Sequence, residues 1–109
     1  MAYDQALAQR VRGALAGQPG LSERAMFGGI GFMVHGNMCC GVHGDRLIVR
    51  IPPDQHEAAL ERPGVHTFDM TRRPTKGWIL VGPGGVNTPE ALNTWVQEGV
   101  AFASSLPPK

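Results

Sequence analysis

His35, Cys39, Cys40 and His43 crowd into one short stretch, MFGGIGFMVHGNMCCGVHGDRLIVR, from Met26 to Arg50. These are zinc-ligand residue types. A structural zinc site, however, usually takes its cysteines from a turn-borne Cys-x2–4-Cys pair. In an extended strand, neighbouring side chains point to opposite faces, which separates Cys39 from Cys40. Cys39 and His43 share a parity but stand about 13 Å apart at strand rise, while zinc–ligand bonds span only about 2.0–2.3 Å. The spacing argues against a metal. Cys40 is expected in the core beside Met38 and Val42, with Cys39 on the other face. A nucleophilic Cys39 would need a nearby base or positive charge; His43 is too far along the same strand to supply it, which leaves a histidine from a neighbouring strand.

Gly28-Gly29-Ile30-Gly31 has the glycine content of a phosphate loop. A dinucleotide fingerprint, though, leads from a strand through Gly-x-Gly-x-x-Gly into a helix. Here a strand and hairpin follow. Gly29 and Gly31 share a parity with Phe27 and Met33, so they leave a bare patch that a helix, a large side chain or a second subunit can approach. Arg72, Arg73, Lys76 and Trp78 form the candidate binding cluster. Guanidinium forks match phosphate or carboxylate, and an indole can stack on a base or a guanidinium. The plainer reading is a solvated loop, diluted by Asp69, that leads into a core tryptophan. Trp95 and Phe102 on the last helix are either core packing or an aromatic partner surface. The nine carboxylates form no closely spaced acid–base pair, and His56 and His66 read as surface or boundary residues. No catalytic residue, metal or cofactor is expected.

These residues need elements to position them. Asp4 caps a helix over residues 4–16, with Leu7, Val11, Ala14 and Leu15 at helical spacing. From Arg24 the period becomes two, with Met26, Ile30, Phe32 and Val34 on one face. A turn at His35-Gly36-Asn37 and another at Gly44-Asp45 divide three strands of an antiparallel meander. Leu47, Val49 and Ile51 face one way, while Arg46, Ile48 and Arg50 face the other. Pro52-Pro53-Asp54 opens a short helix to about Glu61. Strands follow at 65–70 and 78–81. Thr88-Pro89-Glu90 starts a last helix to about Ser104, and Pro107-Pro108-Lys109 reads as a frayed tail. The expected class is α+β: two layers, an antiparallel five-stranded sheet with helices over one face, in the order α-β-β-β-α-β-β-α.

Composition bounds the function. The 109 residues suit one domain with a core of its own. The net charge of +1 argues against direct nucleic-acid binding, which usually needs a basic surplus. No apolar run approaches the length of a membrane helix. The N-terminus lacks the pattern of a secretory signal, so with only two cysteines a reducing cytoplasm is the expected compartment.

A series of short motifs adds to this reading. Met26-Phe27-Gly28-Gly29 stands at the first strand, Gly36-Asn37-Met38 at the hairpin, and Asp45-Arg46-Leu47 with Val49-Arg50 in the third strand. Pro63-Gly64 follows the middle helix, and Arg73-Pro74 with Gly77-Trp78 leads into the last strand. In this order, over nearly the whole chain, the sequence resembles the TfoX N-terminal-domain family, also described as Sxy-like. The resemblance implies a secretion-chaperone-like α+β sandwich in a bacterial cytoplasmic protein. Longer members regulate competence, switching on DNA-uptake genes alongside a cyclic-AMP receptor protein, and carry a second, C-terminal domain. The expectation here is one such domain over residues 1–109, with no C-terminal domain. The family supplies no catalytic residues to carry over.

Together these readings lead to a non-enzymatic interaction or regulatory module. It would act on a protein partner or on itself as a homodimer, through the glycine face or the last helix. A small-ligand-binding protein or enzyme is the alternative, with Arg72, Arg73 or Arg50 holding an anion. A nucleic-acid accessory module is the third reading.

Overall fold

The computed structural model describes residues 3–26, 28–68 and 77–108. Helix α1 (Gln5–Ala14) begins where the Asp4 carboxylate accepts a hydrogen bond from the Leu7 amide at 3.1 Å, satisfying an N–H that the helix leaves free. Four strands follow: β1 (Leu21–Met26), β2 (Gly29–Val34), β3 (Asn37–His43) and β4 (Arg46–Arg50). A 3₁₀ turn over Pro53–Gln55 leads into the short helix α2 (His56–Leu60). Strands β5 (Val65–Thr67) and β6 (Trp78–Val81) precede the long helix α3 (Pro89–Ser104). Its start matches the expected signal: the Thr88 hydroxyl accepts from the Ala91 amide, with Pro89 at the first helical position.

All pairings within the sheet are antiparallel, in the order β1-β2-β3-β4-β6-β5. The α+β class and the helices over one face stand, but among the described residues the sheet has six strands rather than five. The expected first strand is two. Gly28 takes a positive φ of 74°, a conformation open to glycine at little steric cost, and the chain reverses so that Met26 pairs with Gly29. Strand β5 ends at Thr67; positions 69 and 70 of the expected strand lie outside the described residues.

One face of the sheet carries the main core. Leu7 and Val11 of α1, Leu15 at its C-cap, Ala59 of α2 and Leu92, Trp95, Val96 and Val100 of α3 pack onto Phe32, Val42, Leu47, Val49, Ile79 and Val81. The opposite face holds a smaller cluster of Met38, Ile48, Phe68 and Leu80, with Met33 and Trp78 against it. The alternation expected for β4 is therefore observed: Leu47, Val49 and Ile51 lie in the main core and Ile48 in the second cluster.

Strand β3 departs from alternation. Phe32 pairs with Cys40, but Met33 pairs with Met38, so Cys39 is the extra residue of a β-bulge. The bulge turns Met38 to the second face and brings Cys39 into the main core with Cys40 and Val42. The expectation that the two cysteines face opposite sides is thus overturned: both are fully buried in one cluster.

The hairpin before β3 also differs in detail. His35 and Gly36 take the positive φ values, 50° and 84°, as a primed two-residue turn requires. Asn37 is left as a strand residue only 2% exposed. Its Nδ2 donates to the Pro107 carbonyl at 2.9 Å, so the segment read as a frayed tail is tied to the sheet. Asn37→Ala is expected to cost about 1–2 kcal/mol by leaving that contact unmade. The check is a lower melting temperature with faster carboxypeptidase trimming from the C-terminus.

Candidate contact surface

Arg50 ends β4, and its direct partner across the β4–β6 ladder is Trp78. Directly opposed residues share a face, so pairing alone sets the two side chains together. The Arg50 guanidinium carbon lies 5.1 Å from the Trp78 ring centroid and 5.4 Å from that of Phe102 on α3. Both distances are within cation–π range. Phe68 extends the aromatic side, its ring 6.1 Å from Trp78. Arg50, Trp78 and Phe102 are each partly exposed.

No carboxylate neutralises Arg50 among the described residues. The ion pairs there are Arg12–Glu23 and Arg62–Glu98, both at 2.9 Å. The second pair matters locally. Glu98 lines the cleft of about 350 Å³ beside Phe102, with Pro52, Gln55, Ala101 and Ser105. Its carboxylate is held by Arg62, whose guanidinium in turn lies 3.6 Å over the Trp95 ring. Partly exposed Arg50 thus keeps a charge that no carboxylate among the described residues pairs, within reach of two rings.

Trp78 is positioned from its N-terminal side. Gly77 has a φ of 90°, and a Cβ there would stand 3.0 Å from the Ile51 carbonyl oxygen. The Gly77 carbonyl accepts from the Ile51 amide at 2.8 Å, and its own amide donates to His56 Nδ1 at 3.2 Å. His56 is 4% exposed, not the surface or boundary residue expected. Accepting at Nδ1 places the proton of its neutral ring on Nε2.

The residues singled out in the sequence thus fall into distinct places. Trp78 and Phe102, assigned to separate roles, meet around Arg50, which entered only the anion-pocket alternative. Trp95 is 3% exposed and belongs to the main core. Arg72, Arg73 and Lys76 lie outside the described residues. Gly29 is required by its own sheet: a Cβ there would collide with the Val42 carbonyl oxygen of β3. Gly31 is buried opposite Gly41 in the β2–β3 register. His56 carries no local signal, because its partner stands 21 residues on.

The cysteine pair is a separate feature. The two Sγ atoms are 3.7 Å apart, and Cys39 Sγ lies 3.4 Å from the Phe32 carbonyl oxygen. The adjacent Cys39 sulfur and complete burial push the Cys40 thiol well above its usual value. Among the described residues, no three His, Cys, Asp or Glu side chains come together as a metal site. No helix among them is long and apolar enough to cross a membrane.

Neither a curated protein nor a solved structure matches this chain. A family model does, over residues 13–103, which take in all the strands named above, α2, nearly all of α3 and the end of α1. The chain belongs to the TfoX N-terminal domain family.

Proposed function

We propose that this chain is a non-enzymatic interaction module, related to the domain found in competence regulators, that works in the bacterial cytoplasm through protein contacts. The observation that carries the reading is Arg50, held between Trp78 and Phe102 without a carboxylate among the described residues. Tryptophan and arginine are enriched where interfaces concentrate their energy, and a guanidinium already ordered between two rings loses little freedom on binding. Arg72, Arg73 and Lys76, just before Trp78 in sequence, would add positive charge for an acidic partner surface. A second copy of the chain is one such partner, giving a homodimer.

The test compares the wild-type chain with an Arg50→Ala, Phe102→Ala double variant by sedimentation and by affinity capture from the native cell. The expected result is a complex in the wild type whose dissociation constant rises about 30-fold in the variant, the effect of removing roughly 2 kcal/mol of hot-spot energy. The same species and the same affinity in both proteins would overturn the assignment of this surface.

A second reading rests on the cleft beside Phe102. Its volume of about 350 Å³ falls within the range of small-molecule sites, and Arg50 would hold an anionic group at its edge. A rise in melting temperature with a small organic anion, lost in Arg50→Ala, would favour a ligand-binding protein instead.

A further inference from the structure

We propose that Cys39 and Cys40 form a reversible dithiol–disulfide pair whose oxidant is a peroxide. The proposal is independent of the contact surface and rests on the bulge in β3. In regular strand the two side chains would point to opposite faces. Here the unpaired Cys39 turns its sulfur to the helix side, 3.7 Å from that of Cys40, with both residues fully buried. The sulfurs need to close to about 2.05 Å to bond, which takes side-chain rotation together with a local distortion of the bulged backbone.

Two features favour disulfide formation over further oxidation of one thiol. The second sulfur is already in contact with the first, so closure is intramolecular and carries a high effective concentration. The site is also closed to bulk reagent. Cys39 lies under α3, with its carbonyl against Gly99, where a Cβ would have no room. A peroxide enters when this seam opens locally, and the collapsed pair is then shielded again.

The chemistry balances with the peroxide as the named oxidant. One thiolate attacks a peroxide oxygen. The O–O bond breaks, water is released after protonation, and the sulfur is left as a sulfenic acid. The second thiol then attacks that sulfur, the S–O bond breaks, and a second water leaves as the S–S bond forms. Either sulfur can take the first step, since the two are in contact and the same seam covers both. Adjacent Cα atoms stand about 3.8 Å apart, closer than disulfides usually span, and such strained bonds are readily reduced. The pair is therefore a switch and not a staple.

The test is made on the reduced, folded full chain. It is treated with excess hydrogen peroxide, quenched into denaturant with N-ethylmaleimide, and weighed intact. The expected product is a monomer lighter by two hydrogen atoms that carries no maleimide. It should exceed oxygen adducts at either cysteine, located by peptide mapping so that sulfoxides of the five methionines are not counted, by roughly tenfold or more, and dithiothreitol should restore both labelling sites. Cys39→Ser and Cys40→Ser chains should instead give oxygen adducts at the remaining sulfur. Three outcomes would overturn the proposal: two maleimides taken up after full peroxide treatment, sulfinic or sulfonic acid as the main wild-type product, or disulfides only between chains. The wild-type measurement decides the matter even where a serine variant fails to fold.

Discussion

Gly99→Ala is expected to lower the melting temperature by roughly 9 °C, while the same substitution at Gly13 raises it. Both glycines lie inside helices, α3 and α1. Alanine gains up to about 1 kcal/mol over glycine in a helix interior, so propensity alone predicts stabilisation at both. Their surroundings decide the sign. Gly13 is exposed, and a Cβ added there would meet no heavy atom within 4 Å, so most of the gain should appear.

At Gly99 the added carbon would run into the carbonyl oxygen of Cys39 and stand 3.1 Å from its carbonyl carbon. Those atoms are backbone, so no rotamer change relieves the clash and α3 must lift from the sheet. Overpacking of this kind costs about 3 kcal/mol at its upper end, leaving a net loss of about 2 kcal/mol. The Arg50 carbonyl oxygen is also close, 3.7 Å from the same position. Lifting the helix should therefore draw Phe102 away from the Arg50 guanidinium. Thermal unfolding of the two variants beside wild type checks the opposite signs. A Gly99→Ala chain as stable as wild type would mean that the α3–β3 seam is looser than these contacts require.

The same seam shows what could be read before the structure and what could not. The start of α3 was legible because Thr88, Pro89 and Glu90 each act locally, within one turn. The faces of β4 were legible because Arg46 and Arg50, both partly exposed, mark one parity, while Leu47, Val49 and Ile51 mark the other. The bulge was not, since Met38, Cys39 and Cys40 are all acceptable core residues. Either cysteine could take the inward position, and only the register with Phe32 and Met33 shows that both do. The split of the first strand was hidden for a related reason: Met26, Ile30, Phe32 and Val34 keep one parity across the turn. The contact surface was half legible. The sequence marks Trp78 as a stacking or core residue and Phe102 as a core or partner-surface residue, but their meeting at Arg50 depends on β6 lying next to β4, with β5 outside it at the edge. Chain order alone favours neither arrangement.

His56 carries the largest expected loss. His56→Ala should cost about 3 kcal/mol, from an orphaned buried amide at Gly77 and the space left by the ring. The imidazole is the acceptor for the Gly77 N–H, and Gly77 is the residue at which the chain enters β6 beside Trp78. Its left-handed conformation and its bond to Ile51 leave little freedom to find another partner. The decisive comparison is His56→Asn. An asparagine Oδ1 occupies nearly the place of histidine Nδ1, so it should keep the acceptor while losing ring volume, and recover about half of the loss. If packing alone mattered, His56→Leu would outperform His56→Asn. If the hydrogen bond matters, the order is histidine, asparagine, then leucine or alanine. The same series reaches the contact surface, because Trp78 follows Gly77 directly. Near-ultraviolet circular dichroism at a temperature where each variant is folded should show the tryptophan environment altered in His56→Ala and largely retained in His56→Asn. An unaltered spectrum in His56→Ala would remove His56 as the residue that positions Trp78 against Arg50.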